Sequence, residues 1–277
     1  MAIAPGGSEN VCYRHPDRQS FVTCQRCSRT ICPACQTQAA VGVHCPECVR
    51  EARGSAPRSA LPVAARLRSL SDQPVVTWGI IAVCVVVYVL QLLPGSAVTQ
   101  DLLYYPPYTL TEPWRMITAI FVHSQTSFLH ILLNMVSLYL FGPIVERLLG
   151  RVRYLTLYLL SGLGGSVAVL LIAPDTPVVG ASGAIFGLLG AFFVIARRLG
   201  GNSSQILIVI VINLGIGFLP GTNIAWQAHL GGLVTGAAVA LVFLLTRRTS
   251  QKTVQIVGVL GIFVALIGLT ILGVRLL

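Results

Sequence analysis

Charge is what this chain has least of: only 10% of its 277 residues are Asp, Glu, Lys or Arg, and nine of them are acidic. Water-soluble domains carry about a quarter charged residues, so that class is excluded. With 55% hydrophobic residues and a mean hydropathy of +0.79, the composition is that of a polytopic membrane protein. Neither midplane charges nor internal repeats are found, which argues against a transporter. Residues 1–10 lack both a basic region and an apolar run, so no cleavable signal peptide is expected.

What is present is a series of apolar runs at 75–93, 117–141, 154–172, 181–195, 206–219, 228–245 and 254–274, read as seven spans. The two shortest, 181–195 and 206–219, need their outer ends shielded by neighbours or by a water-filled depression. A net charge of +10 would suit nucleic acid, but its distribution points elsewhere. Arg66 and Arg68, then Arg147, Arg151 and Arg153, then Arg197 and Arg198, then Arg247, Arg248 and Lys252 all fall on one side of alternating spans. The chain is therefore expected to lie in the plasma membrane with its N-terminus cytoplasmic and its C-terminus outside, with the bilayer rather than nucleic acid as its partner.

Seven of the eight cysteines crowd into the first 48 residues, as Cys12-x-x-His15, Cys24-x-x-Cys27, Cys32-x-x-Cys35 and Cys45-x-x-Cys48. A two-residue spacer brings both side chains onto one tetrahedral ion, and two such pairs close its shell. Four pairs predict two structural Zn2+ ions with no open position for chemistry. Disulfides are disfavoured because the charge pattern puts this region in a reducing compartment. The spacing resembles the B-box and related cross-braced zinc fingers over 11–49, departing from the common pattern in offering a single histidine among the expected ligands, His15, with His44 in reserve. That resemblance implies that the first and third pairs share one ion and the second and fourth the other. Modules of this kind bind proteins, so a cytoplasmic protein partner is expected. Residues 54–74, with three prolines and four serines, read as a linker, in which 64–70 could form a short amphipathic helix. Cys84 reads as a small packing residue.

Three polar side chains fall at one depth in the membrane segments. Counting back from the arginines at about 1.5 Å per residue places Ser182 about 22 Å from Arg197, His229 about 27 Å from Arg247, and His130 about 25 Å from Arg147. Asn134 shares a helical face with His130. Polar groups at such depth are costly, so they are expected to face the protein interior. A serine and a histidine meeting there suggest hydrolysis, although no intramembrane acid completes a triad, and Glu146 reads as an end anchor or an ion-pair partner.

Five motifs in order resemble the rhomboid family of intramembrane serine proteases across 75–245. They are Trp114-Arg115; His130 with Asn134; Gly142-x-x-x-Glu146-x-x-x-Gly150; Gly180-Ala181-Ser182-Gly183; and Ala228-His229 with Gly232 and Gly236. The resemblance implies Ser182 as nucleophile and His229 as general base. It also implies an oxyanion site of His130, Asn134 and the Ser182 N–H, Phe186 packed on the imidazole, Arg115 tying down the first loop, and a mobile gate formed by the fifth span and the 220–225 cap. Substrates would be single-span membrane proteins cut near the outer interface, without a catalytic cofactor. His123 is expected at the water entrance, and the glycines after Ser182 and His229 are expected to let two helices pack closely. The expected fold is an all-α polytopic membrane protein. It has a zinc-binding domain at 1–53, a linker at 54–74, and a membrane domain at 75–277 comprising a rhomboid-like six-helix core and one C-terminal helix. A catalytically inactive relative that binds or traffics membrane proteins is the alternative.

Overall fold

The computed structural model describes residues 10–39, 42–55, 73–198, 203–218 and 224–277. The expected linker and its amphipathic stretch, Arg66 and Arg68, and most of the 220–225 cap lie outside the described residues. The chain divides into two compact units, Met1–Ser71 and Asp72–Leu277.

The first unit has little regular structure. Strand β1 (Val11–Cys12) pairs antiparallel with β2 (His15–Gln19), β3 (Thr37–Gln38) pairs with β4 (Val43–His44), and helix α1 (Pro46–Ser55) follows. Its buried interior consists of Ile31 and the cysteines Cys12, Cys24, Cys32, Cys35, Cys45 and Cys48. One aliphatic side chain is far too little to offset the chain entropy of some 40 ordered residues, so the cysteines must do more than pack. Ser28 closes the turn after Cys27 at a φ of 59° and donates its N–H to the Cys24 carbonyl (2.8 Å), a left-handed conformation that usually calls for glycine or asparagine.

The second unit is helical. Its main helices are α2 (Val75–Gln91), α5 (Phe128–Leu149), α6 (Arg151–Ile172), α7 (Ser182–Arg198), α8 (Ser204–Ile216), α9 (Trp226–Leu245) and α10 (Lys252–Leu276). Two short helices, α3 (Val98–Leu102) and α4 (Arg115–Thr118), lie in the segment between α2 and α5. Four helices among the described residues are long and apolar enough to cross a bilayer: Phe128–Leu149, Arg151–Ile172, Trp226–Leu245 and Thr249–Leu276. This is a multi-pass membrane protein. Helices α6, α7 and α9 form the centre, whereas α8 buries only Ile210 and α10 only Gln255, Leu266 and Gly273.

The second span differs from its expected position. The run at 117–141 predicts one helix, but Ile117 to Phe121 belong to a short helix and a 3-10 turn, Val122 is extended, and α5 begins only at Phe128. Ala119, Ile120 and Val122 are apolar because they are buried in the protein core, not because they continue a span. At the other end, Gly150 (φ 82°) is the single residue between the end of α5 and the start of α6. Glu146, 3% exposed, accepts hydrogen bonds from the N–H groups of Val76 (3.0 Å) and Thr77 (2.8 Å) and from the Thr77 hydroxyl (2.7 Å). Its carboxylate thus satisfies the orphan donors and the positive dipole end of α2.

Candidate active site

Ser182 is the first residue of α7, and His229 lies in the first turn of α9. The Ser182 Oγ is 2.8 Å from His229 Nε2. Helix backbones must nearly touch for such short side chains to meet. A β-carbon at Gly232 would collide with the Gly183 carbonyl oxygen, and one at Gly236 with that of Gly187. A third close approach, Gly231 against the Gly164 carbonyl of α6, was not visible in the motif spacing.

The His229 ring stacks on Phe186, one turn along α7, with centroids 4.2 Å apart and planes inclined by 12°. Among the described residues, His229 Nδ1 has no hydrogen-bond partner. The ring is therefore held by its face and by Ser182 rather than by an acid. Because Ser182 opens its helix, its N–H has no intrahelical acceptor.

His130, in the first turn of α5, faces the same place. Its Nδ1 accepts a hydrogen bond from the Ser124 N–H (3.1 Å). A β-carbon at Gly180 would stand 2.8 Å from His130 Nε2 and 3.8 Å from Ser182 Oγ, so the glycine edge separates imidazole from hydroxyl by little more than a backbone. Gly180 also has a φ of 122°, which L side chains rarely adopt. Ser182, His229, His130 and Gly180 line a cavity of about 510 Å³, bordered by Ser124 and Ile224.

Two expected placements differ. Asn134 lies one turn beyond His130, but its Nδ2 donates to the His130 carbonyl (2.7 Å), and its side chain is not in the cavity wall. A helical carbonyl has a second lone pair, and a short amide four residues on is placed to donate to it. His123 does not line a water entrance: it is 0% exposed, with its ring 5.4 Å from that of His130.

The first loop is tied down by Arg115, 6% exposed. Its guanidinium donates to Glu112 (2.6 Å), to the Leu103 carbonyl (3.2 Å) and to the Gln100 carbonyl. Trp114 beside it is half exposed and apart from the cavity. A bridge that the sequence did not suggest joins Tyr104 to Val178, fixing the loop to the strand-like approach to Ser182.

Residues 110–247 match the rhomboid domain family. The chain is 36% identical over 187 residues to the rhomboid protease GluP of Bacillus subtilis (strain 168), covering 62% of this chain and 36% of GluP. It is 37% identical over 188 residues to the rhomboid YdcA of the same organism, covering 65% of this chain and 90% of YdcA. This chain belongs to the rhomboid family. RHOMBOID-like protein 5 of Arabidopsis thaliana is 38% identical over 143 residues, with 48% of this chain and 45% of that protein covered. Except for YdcA, these matches span about a third to a half of the relatives' own length.

The cysteine-rich unit lies outside the residues matched to the rhomboid domain. Its ligand atoms form two groups, Cys12, His15, Cys32 and Cys35, and Cys24, Cys27, Cys45 and Cys48, each with all four atoms within 4.8 Å of one another. Both groups could hold a metal ion, and the pairs combine first with third and second with fourth. His44 belongs to neither group.

The donor chemistry fits a cation. Burial by itself raises Cys12 and Cys24, yet backbone N–H groups, of Cys32 and Arg14 for the first and of Cys45, Arg26 and Cys27 for the second, bring both thiols down to about 6. Burial and crowding by neighbouring sulfurs push Cys35 up to about 11 and Cys48 up to about 12. Each group thus holds one thiol readied for ionisation and one held protonated, whose proton a bound cation would displace.

Proposed function

We propose that this rhomboid is an intramembrane serine endopeptidase that cleaves single-span membrane proteins near the outer interface. The observation that carries the reading is the 2.8 Å contact of Ser182 Oγ with His229 Nε2 at the wall of a cavity. In the proposed reaction Ser182 Oγ attacks the scissile carbonyl carbon while its proton passes to His229 Nε2. The tetrahedral oxyanion is met by the Ser182 N–H and by His130 Nε2–H, each such donor being worth about 10²–10³ in kcat. Collapse breaks the C–N bond, and the leaving amine takes the proton from His229. Water, activated by the same imidazole, then hydrolyses the acyl-enzyme. Phe186 orients the His229 ring, Gly180 leaves room for His130, and Asn134 supports His130 through its carbonyl rather than touching the oxyanion.

Substrate backbone must be extended to reach Ser182, so helix-breaking residues near the cut favour cleavage. The proposed site is the plasma membrane, and the arginine distribution supports a cytoplasmic N-terminus, seven crossings and an external C-terminus. The unit around 1–53 would hold two structural Zn2+ ions through Cys12, His15, Cys32 and Cys35, and through Cys24, Cys27, Cys45 and Cys48, and would recruit a cytoplasmic protein. Bound zinc would supply cross-links, with no part in hydrolysis.

Ser182→Ala and His229→Ala, assayed with a model single-span substrate in liposomes, test the reading. Loss of cleavage in both folded variants is expected. Undiminished cleavage in either rejects the dyad. No cleavage by the unaltered protein of any substrate tried, with retained capture of those substrates, would favour the inactive binding factor.

A further inference from the structure

Gln91 is the sole amide in α2, at its last residue, and it is 2% exposed. A buried primary amide is retained at a cost unless its hydrogen bonds are met, and here they are met by one loop. Gln91 Oε1 accepts the His123 N–H (3.0 Å), and Gln91 Nε2 donates to the His123 carbonyl (2.8 Å) and to Thr99 Oγ1 (2.9 Å). The amide therefore grips both faces of one peptide residue, as a neighbouring β-strand would. Thr99 in turn donates to Gln125 Oε1 (3.1 Å), and Gln125 Nε2 donates to the Gln91 carbonyl, which fixes the loop on the other side of Ser124.

Ser124, between those two anchors, gives its N–H to His130 Nδ1. A backbone N–H can only donate, so Nδ1 must be the unprotonated nitrogen, and the single proton of the neutral ring must sit on Nε2. Nε2 is the nitrogen beside Gly180 on the Ser182 side. We infer that Gln91 is a positioning residue: by clamping His123 it presents the Ser124 N–H that locks His130 in the Nε2–H tautomer, the only neutral form able to donate to the oxyanion. Its kinetic consequence rests on the protease reading. The tautomer itself does not.

The test is the imidazole spectrum of the full chain, 15N-labelled at histidine, in detergent micelles, with His130 assigned by loss of its signals in His130→Asn. The unaltered protein is expected to show an acceptor-type Nδ1 and a protonated Nε2. Gln91→Met, of similar shape but unable to clamp the peptide, is expected to give mixed tautomers, with kcat lower by about tenfold and KM within about twofold. Gln91→Glu keeps the acceptor for the His123 N–H and is expected to fall between the two, and it replaces the methionine variant if that does not fold. An unchanged single-tautomer spectrum in a folded Gln91 variant overturns the inference, as does an unaltered protein whose His130 carries its proton on Nδ1. If Ser182→Ala leaves cleavage intact, the protease reading fails while the spectrum still decides the role of Gln91.

Discussion

The two units reach order by opposite means. In the first, six buried cysteines surround one aliphatic side chain, so sulfur atoms define the interior and the backbone is mostly turns. In the second, the decisive contacts involve residues with no side chain at all: Gly232 against Gly183, and Gly236 against Gly187, bring two backbones together so that Ser182 and His229 can meet. A small unit in water lacks enough apolar surface and must borrow cohesion from a cross-link. Helices in lipid gain nothing from burying leucine against leucine and must gain it from close approach. Each strategy should fail in its own way.

Stripping metal should have the largest effect. A zinc chelator is expected to abolish the folded state of the first unit, since structural zinc contributes about 10–16 kcal/mol of binding free energy in comparable modules. The helical signal of the second unit should be retained. Near-UV and far-UV dichroism on the full chain before and after chelation checks both statements.

Next comes Gly232→Val, which places branched carbon against the Gly183 carbonyl. Cleavage is expected to fall about 10³-fold or more through loss of dyad geometry, with only about 1–3 kcal/mol lost in stability. Assay and thermal melt together separate the two effects. Glu146→Ala, which orphans two N–H groups of α2, should cost about 2–3 kcal/mol of stability, read as a lowered melting temperature. Smallest is Ser28→Gly, which relieves a left-handed residue and should stabilise the first unit by about 1 kcal/mol in a chelator titration.

The meeting of Ser182, His229 and His130 at one level was legible because helix rise is constant and arginines mark the boundary. The glycine stripes were legible because their spacing matches the helical repeat. The start of α5 was not, since Ile117 to Val122 are as apolar as a span and only tertiary burial distinguishes them. Nor could the sequence show that Glu146 caps α2, a contact across 70 residues, or that the Asn134 amide turns back to its own helix. His123 offered a polar side chain near the site, and nothing in one sequence reveals that Gln91 covers its backbone.

The most direct test is covalent labelling with a fluorophosphonate, mapped by mass spectrometry. A single adduct on Ser182 in the unaltered protein, absent from His229→Ala, is predicted. An adduct on any other residue, or equal labelling of Ser182 without His229, would contradict a serine activated by that imidazole.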